Sequence, residues 1–327
     1  MNNKPLIAFA LAVAALLSLA HYAPARAQKW ELVWRDEFGG AKGAAADEKK
    51  WAHETGGAGW GNRELEYYTG GAANAQLDGK GSLVIKAAAL TPPGGFECWY
   101  GPCRYTSARL VTKEKFAQVF GRFEARIRVP RGQGVWPAFW LLGADIDKVG
   151  WPRCGEIDVM ENIGREPSFV HGTMHGPGYS GAGGIGAPYT LPAGKLFADD
   201  FHTFAVEWEP NAVRWYVDGA LYETRTPADL PAGSKWVFDH PFFIILNLAV
   251  GGAWPGDPDP ATAFPQTMLV DYVRVYRRST PSSRARNSGA AARLSAFSSS
   301  PEADQNCAGD VLELRKLRGP SITQPHA

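Results

Sequence analysis

The sequence predicts an all-β sandwich. Three observations carry the prediction: short segments in which apolar and polar residues alternate, Gly and Pro between those segments, and no long apolar pattern at helical spacing ahead of the tail. Alternation sends successive side chains to opposite faces of a strand, so one face can enter a core. Roughly 250 residues of such segments is within the range of one sandwich domain.

The chain opens on a segment of a different kind. Lys4 precedes an uncharged apolar run over residues 6–20, and Ala25-Arg26-Ala27 supplies a small-x-small site before Gln28. A membrane span needs roughly 20 apolar residues, so the shorter run reads as a secretory signal peptide over residues 1–27. The mature chain is expected to begin at Gln28 and to be secreted, extracellular or periplasmic.

Strands are then expected over residues 83–86, 121–129, 201–208, 213–219 and 268–276, all alternating or rich in β-branched and aromatic residues. Asp218-Gly219 is a hairpin signal, because both residues accept the positive φ of a tight turn. Residues 243–250 are almost continuously apolar and read as a strand buried on both faces, running into the loop Gly251-Gly252-Ala253-Trp254-Pro255-Gly256. Asn247, polar within that run, must find a partner if it is buried. Residues 28–280 are assigned to the sandwich domain. Residues 281–327 are rich in Ser, Ala and Arg and read as a disordered tail.

The most informative strand is Gly155-Glu156-Ile157-Asp158-Val159-Met160-Glu161-Asn162. Glu156 and Asp158 share one face; Ile157 and Val159 belong to the core side. Glu161 falls at an odd offset and joins the other two acids only if one extra residue near Met160 forms a bulge. Three carboxyls on one face repel one another, and crowding raises the proton affinity of at least one. A protonated acid beside an ionised carboxylate is what cleavage of a glycosidic bond requires.

Composition limits the partners. The full chain has 34 basic and 33 acidic residues, and loss of residues 1–27 removes Lys4 and Arg26 and no acid. The near-neutral mature chain argues against nucleic acid and anionic membrane as partners. Its 12 Trp, 11 Tyr and 16 Phe suit stacking on sugar rings as well as ordinary core packing. Cys98 and Cys103 are close enough to staple a turn in an oxidising compartment; no bond is expected between Cys154 and Cys307. No Cys-x-x-Cys metal spacing is present. Nothing in the sequence calls for more than a monomer.

Trp136-Pro137-Ala138-Phe139-Trp140-Leu141-Leu142-Gly143, then Trp151-Pro152, then Gly155-Glu156-Ile157-Asp158-Val159-Met160-Glu161 resemble the active-site block of glycoside hydrolase family 16, in its bulged, laminarinase-like branch. The resemblance extends from about Trp30 to Arg278. It implies a β-jelly roll of two antiparallel sheets with a substrate cleft on the concave face, and a retaining endo-hydrolase of β-1,3-glucans such as laminarin. By that resemblance Glu156 is the nucleophile, Glu161 the acid/base and Asp158 their tuner. Trp136, Trp140, Trp151 and Trp254 would line the sugar subsites, Asn62 would contact sugar, and His175 would donate to a catalytic carboxylate or a hydroxyl. Arg109 stands equally open to sugar contact or a local structural part. No cofactor is implied for catalysis. A structural calcium is implied at Glu37, Gly81 and Asp271, away from the acids. Mixed β-1,3/1,4-glucan is the next substrate. A transglycosylase, a sulfated-galactan hydrolase and a non-catalytic glucan-binding module are the rival readings, the last disfavoured by retention of all three acids.

Overall fold

The computed structural model describes residues 29–279; the expected signal peptide (1–27) and tail (281–327) lie outside the described residues, as does Cys307. In chain order the strands are β1 (Trp30–Asp36), β2 (Ala52–Glu54), β3 (Glu66–Tyr68), β4 (Ala75–Leu77), β5 (Leu83–Ala89), β6 (Glu97–Cys98), β7 (Gly101–Pro102), β8 (Tyr105–Ser107), β9 (Arg109–Val111), β10 (Gly121–Arg128), β11 (Val135–Gly143), β12 (Glu156–Glu161), β13 (Phe169–His175), β14 (Ile185–Thr190), β15 (His202–Glu209), β16 (Ala212–Val217), β17 (Ala220–Arg225), β18 (Phe242–Val250) and β19 (Gln266–Arg278). A short helix, α1 (Ile146–Val149), follows β11. No helix among the described residues is long and apolar enough to cross a membrane.

Two large sheets form. A ten-stranded sheet runs β17-β16-β15-β10-β19-β5-β8-β3, with β1 on β19 and β4 on β5; a seven-stranded sheet runs β14-β13-β12-β11-β18-β9-β2. Pairing is antiparallel throughout except between β3 and β8, which are parallel. Alternation accounts for the strands of the larger sheet: in β10, Phe123, Ala125 and Ile127 are buried while Arg122, Glu124 and Arg126 are not. These apolar residues meet Phe139, Leu141, Ile157, Leu246 and Leu248 of the other sheet in one core. Each fully buried Leu, Ile or Phe there contributes about 1.5–3 kcal/mol.

β18 is buried along its whole length, because on its other face Phe243 and Ile245 pack with Val111, Leu142 and Cys154 in a second apolar cluster. Asp218 (φ 50°) and Gly219 (φ 80°) make the turn between β16 and β17, as the dipeptide predicts. Cys98 and Cys103 are joined by a disulfide beside the β6–β7 hairpin, and Cys154 is a buried free thiol.

The acid-bearing strand β12 lies between β11 and β13, and it carries the expected bulge. Against β11 the register passes from Glu161↔Ala138 and Met160↔Phe139 directly to Asp158↔Trp140. Against β13, Asp158 pairs with Thr173 and Glu161 with His171, leaving Val159 and Met160 opposite the single residue Gly172. Both bulged residues enter the core, together with Ile157. The bulge re-aims Glu161 to the face of Glu156 and Asp158.

Candidate active site

Strand register builds the site as a grid. Across β13, β12 and β11, one row holds His175, Glu156 and Leu142, the next Thr173, Asp158 and Trp140, and the third His171, Glu161 and Ala138. The third row continues through Asn247, Arg109 and Glu54 on β18, β9 and β2. Glu156 and Glu161 are five residues apart in sequence, but their partners on each neighbouring strand are only four apart. The bulge therefore shortens the separation to about 13 Å of strand at the backbone, and two long side chains lean across it.

Hydrogen bonds then fix the carboxyls. Trp151 Nε1 donates to Glu156 Oε2 at 3.0 Å, and Trp136 Nε1 donates to Glu161 Oε1 at 3.0 Å. His175 Nε2 stands 3.1 Å from Asp158 Oδ2 and 3.6 Å from Glu156 Oε1. Gly184 makes room for that imidazole: a Cβ there would lie 2.3 Å from His175 Cε1. The Asp158 carbonyl at the bulge accepts from the indole N–H of Trp215 at 2.7 Å, a buried residue reaching over from β16 of the other sheet. Gly172 leaves space for that indole, since a Cβ would meet Trp215 Cδ1 at 2.4 Å.

Burial raises all three carboxyls. Glu156 is pushed up to about 8 by burial and then by the charge of Asp158, opposed by His175 and the Trp151 N–H. Asp158 is pushed up to about 8 by burial. Glu161 is pushed well above the carboxylate range by burial, with Asp158 and Glu156 adding to the shift. The site thus carries fewer than three negative charges near neutrality. Glu156 has the donors that favour its ionised form, and Glu161 is the group held protonated, as a nucleophile and an acid require.

The remaining expected residues are placed as follows. Trp254 packs edge-on against Trp136, ring centroids 5.4 Å apart, and against His171 at 5.1 Å. Trp140 donates its N–H to Asn247 Oδ1 at 2.7 Å, and Asn247 Nδ2 in turn donates to Tyr68 Oη at 3.1 Å. Tyr68 donates to Glu64, whose other oxygen accepts from Asn62 Nδ2 at 2.8 Å. Asn62 is thereby joined to Trp140 through buried polar groups. Arg109 is 8 % exposed, pairs with Glu54, and has its guanidinium carbon 4.8 Å from the Trp60 ring and 4.7 Å from the Trp140 ring. Of its two readings, the structural one is the visible one: it props Trp140.

His171, Thr173, Glu64, Tyr68 and Trp215 also belong to this assembly and escaped the sequence reading as site residues. Glu64 and Tyr68 follow Asn62 by two and six residues, and His171 and Thr173 share the parity of His175, so pattern alone could have found those four. Trp215 sits on the other sheet, and no local signal marks it.

Among the described residues, the His, Cys, Asp or Glu group able to gather around a metal is Glu156, Asp158 and His175, whose ligand atoms lie within 4.8 Å of one another. At Glu37, Gly81 and Asp271, where a structural calcium is expected, the two acid side chains are already engaged. Both oxygens of Glu37 accept from Arg274, at 2.9 and 2.8 Å, and Asp271 accepts from Arg126 at 2.9 Å. Arginine already neutralises the two acids.

Known proteins resemble this chain in sequence and in fold. The model of the family described as "Glycosyl hydrolases family 16" matches residues 62–274. A "Beta-glucanase" of Rhodothermus marinus is 44 % identical over 264 residues, spanning 77 % of this chain and 87 % of that protein. "Glucan endo-1,3-beta-glucosidase A1" of Niallia circulans is 40 % identical over 264 residues; the alignment spans 75 % of this chain but 38 % of the longer relative. The laminarinase catalytic domain of Thermotoga maritima superposes with a TM-score of 0.72 at 48 % identity, covering 77 % of this chain and 100 % of that domain. The two-sheet fold is thus the jelly roll of those laminarinases, and with the bulged carboxyl face, the family match and this identity in hand, the chain belongs to glycoside hydrolase family 16 and is a glycoside hydrolase.

Proposed function

We propose that the protein is an endo-acting hydrolase of β-1,3-glucans that retains anomeric configuration. The observation that carries the reading is the bulge in β12, which brings Glu156, Asp158 and Glu161 to one face between two indole N–H donors. The relatives named for β-glucan, endo-1,3-β-glucan and laminarin supply the substrate class.

In the first step the ionised Glu156 attacks the anomeric carbon while the bond to the leaving oxygen breaks and Glu161 delivers its proton to that oxygen. In the second, Glu161 takes a proton from water, the resulting hydroxide displaces Glu156 from the anomeric carbon, and both residues return to their starting states. Asp158, next to both in the register, sets their protonation; His175 steadies Glu156 and Asp158. Trp136, Trp140, Trp151 and Trp254 offer apolar faces to the sugars, with Asn62 at the rim.

Export of the mature chain from Gln28 and a monomeric state are part of the same proposal, and the Cys98–Cys103 disulfide supports export because such bonds persist in oxidising compartments. A calcium at Glu37, Gly81 and Asp271 would rest on backbone carbonyls and one carboxylate; a melting midpoint unchanged by chelator removes it from the proposal.

The test compares the wild type with Glu156→Gln on laminarin and on mixed-linkage β-glucan, following new reducing ends, oligosaccharide lengths and product anomer. Short β-anomeric oligomers from the wild type alone are expected. An initial α-anomer overturns retention, longer products establish transglycosylation, and cutting of neither glucan overturns the substrate.

A further inference from the structure

The disulfide hairpin on the rim of the site is built far more firmly than a surface loop needs. Trp99, between β6 and β7, is 44 % exposed, yet its N–H is committed to the Glu64 carbonyl at 2.7 Å. Tyr100 donates its hydroxyl to the Leu65 carbonyl at 2.6 Å. Two glycines admit the hairpin: a Cβ on Gly59 would lie 2.8 Å from the Trp99 ring, and one on Gly57 would lie 2.7 Å from Cys98 Sγ. Trp60 and Arg63, flanking this contact, hold positive φ of 50° and 61°, a strained conformation for both. Arg63 lies over the Trp99 ring at 5.1 Å, and Arg104 over Tyr100 at 5.1 Å.

Between the hairpin and the 251–256 loop is a hollow of about 300 Å³, lined by Arg63, Leu65, Trp99, Tyr100, Arg104 and Ala253 among others. Its walls are the chain neighbours of two residues of the site. Arg63 follows Asn62, Ala253 precedes Trp254, and the Ala253 N–H donates to the Asn62 carbonyl at 2.8 Å. A polymer lying along Asn62 and Trp254 therefore meets this hollow as it leaves the site. An indole with its polar atom satisfied and its ring open to water offers stacking to a pyranose face; the guanidinium N–H groups beside it suit hydroxyls.

We propose that this hollow is a distal subsite for a further glucosyl unit of the same chain, with Trp99 as its platform and Arg63 and Arg104 as hydroxyl ligands. The inference rests on the β-glucan reading and adds a dependence on chain length. Its consequence is that longer substrates are held better without any change at the acids.

The test measures kcat/KM of wild type, Trp99→Ala and Arg104→Ala on linear β-1,3-gluco-oligosaccharides of increasing length and on laminarin. Both variants are expected to match the wild type on the shortest oligomer cut, and to lose about tenfold on long chains through KM, a factor worth about 1.4 kcal/mol. Arg104 is exposed, stacks on Tyr100 and stands 3.9 Å from Asp257, so its truncation probes the hollow while Trp99 and its hydrogen bond stay in place. Equal kcat/KM at every length overturns the subsite alone, as does a uniform loss at all lengths. A wild type that cuts none of these glucans overturns the substrate reading and the subsite with it.

Discussion

Trp215→Phe isolates the contact that holds the bulge from behind. The substitution keeps an aromatic ring in the core but removes the N–H that meets the Asp158 carbonyl at 2.7 Å. That carbonyl lies in the bulge, where β13 offers the ladder one residue against two, and Trp215 has no exposure to water. An orphaned buried acceptor costs about 1–3 kcal/mol, and the smaller ring leaves a void that adds to it. A total of about 3 kcal/mol lowers the melting midpoint of a domain this size by about 6–12 °C. The bulge also sets where Glu161 points relative to Glu156, so kcat is expected to fall more than tenfold, with KM nearly unchanged because the sugar-facing tryptophans remain. Kinetics are read well below both midpoints, where each protein is folded. A destabilised variant with wild-type kcat would show that Trp215 fills the core without positioning the acids, and an unchanged midpoint would show that the hydrogen bond contributes nothing.

Gly172→Ala approaches the same contact from β13: its Cβ would meet Trp215 and the Tyr222 hydroxyl at 2.4 Å, so it should reproduce the Trp215→Phe kcat defect, which a kcat and KM comparison of the two variants checks. Glu161 is active as an acid when protonated, so activity is lost as pH rises through its raised pKa, and it also falls on the acid side, where Glu156 takes up the proton that the nucleophile must lack; Glu161→Gln should lose about 10²–10⁴-fold and show no such alkaline limb in a pH–rate profile. Stability follows the same protons. Asp158 and Glu156 keep theirs to about 8 in the folded state but release them near 4 when unfolded. Over that window the folded state binds more protons, so the wild type loses stability as pH rises from about 4 to about 8. Asp158→Asn removes one acid and its repulsion of the others, and its midpoint relative to wild type should rise between pH 5 and pH 8; a constant difference refutes the shift.

The parts of the fold written in local pattern were legible, and those made by distant partners were not. β10 alternates cleanly and was read to within one residue of its limits, β5 was read from its true start but three residues short of its end, and the Asp218-Gly219 turn was read in place. β14 was missed because Gly186 and Pro188 argue against a strand; it is the outermost strand of its sheet, where a residue without an N–H is tolerated. The strand 268–276 was read as an unbroken strand from its alternating or β-rich composition, but its register shifts opposite Arg126 and Ile127, so its buried set changes parity from Met268 and Val270 to Val273 and Val275. The bulge in β12 was inferable because three acids of unequal parity need it. The residues that satisfy it, Trp215 and Gly172, could not be read, since their reason lies in the packing of one sheet on the other.

The tryptophans carry a second lesson about the site. Their abundance read as sugar platforms, a use that needs only ring faces. The structure assigns their N–H groups as well: Trp151 to Glu156, Trp136 to Glu161, Trp215 to the Asp158 carbonyl and Trp140 to Asn247. An indole is a donor that cannot accept or ionise, so it stabilises a buried carboxylate without adding a titrating group of its own. An arginine or lysine in the same place would hold each acid ionised and pull its pKa down, which would deprive Glu161 of its proton near neutrality. Neutral donors leave burial and mutual repulsion in command of the protons while fixing where each oxygen points. The same side chain can then orient a catalytic acid with its edge and receive a sugar with its face, and substitution of Trp136 by Phe should separate the two: binding to the retained ring persists while the alkaline limb set by Glu161 moves.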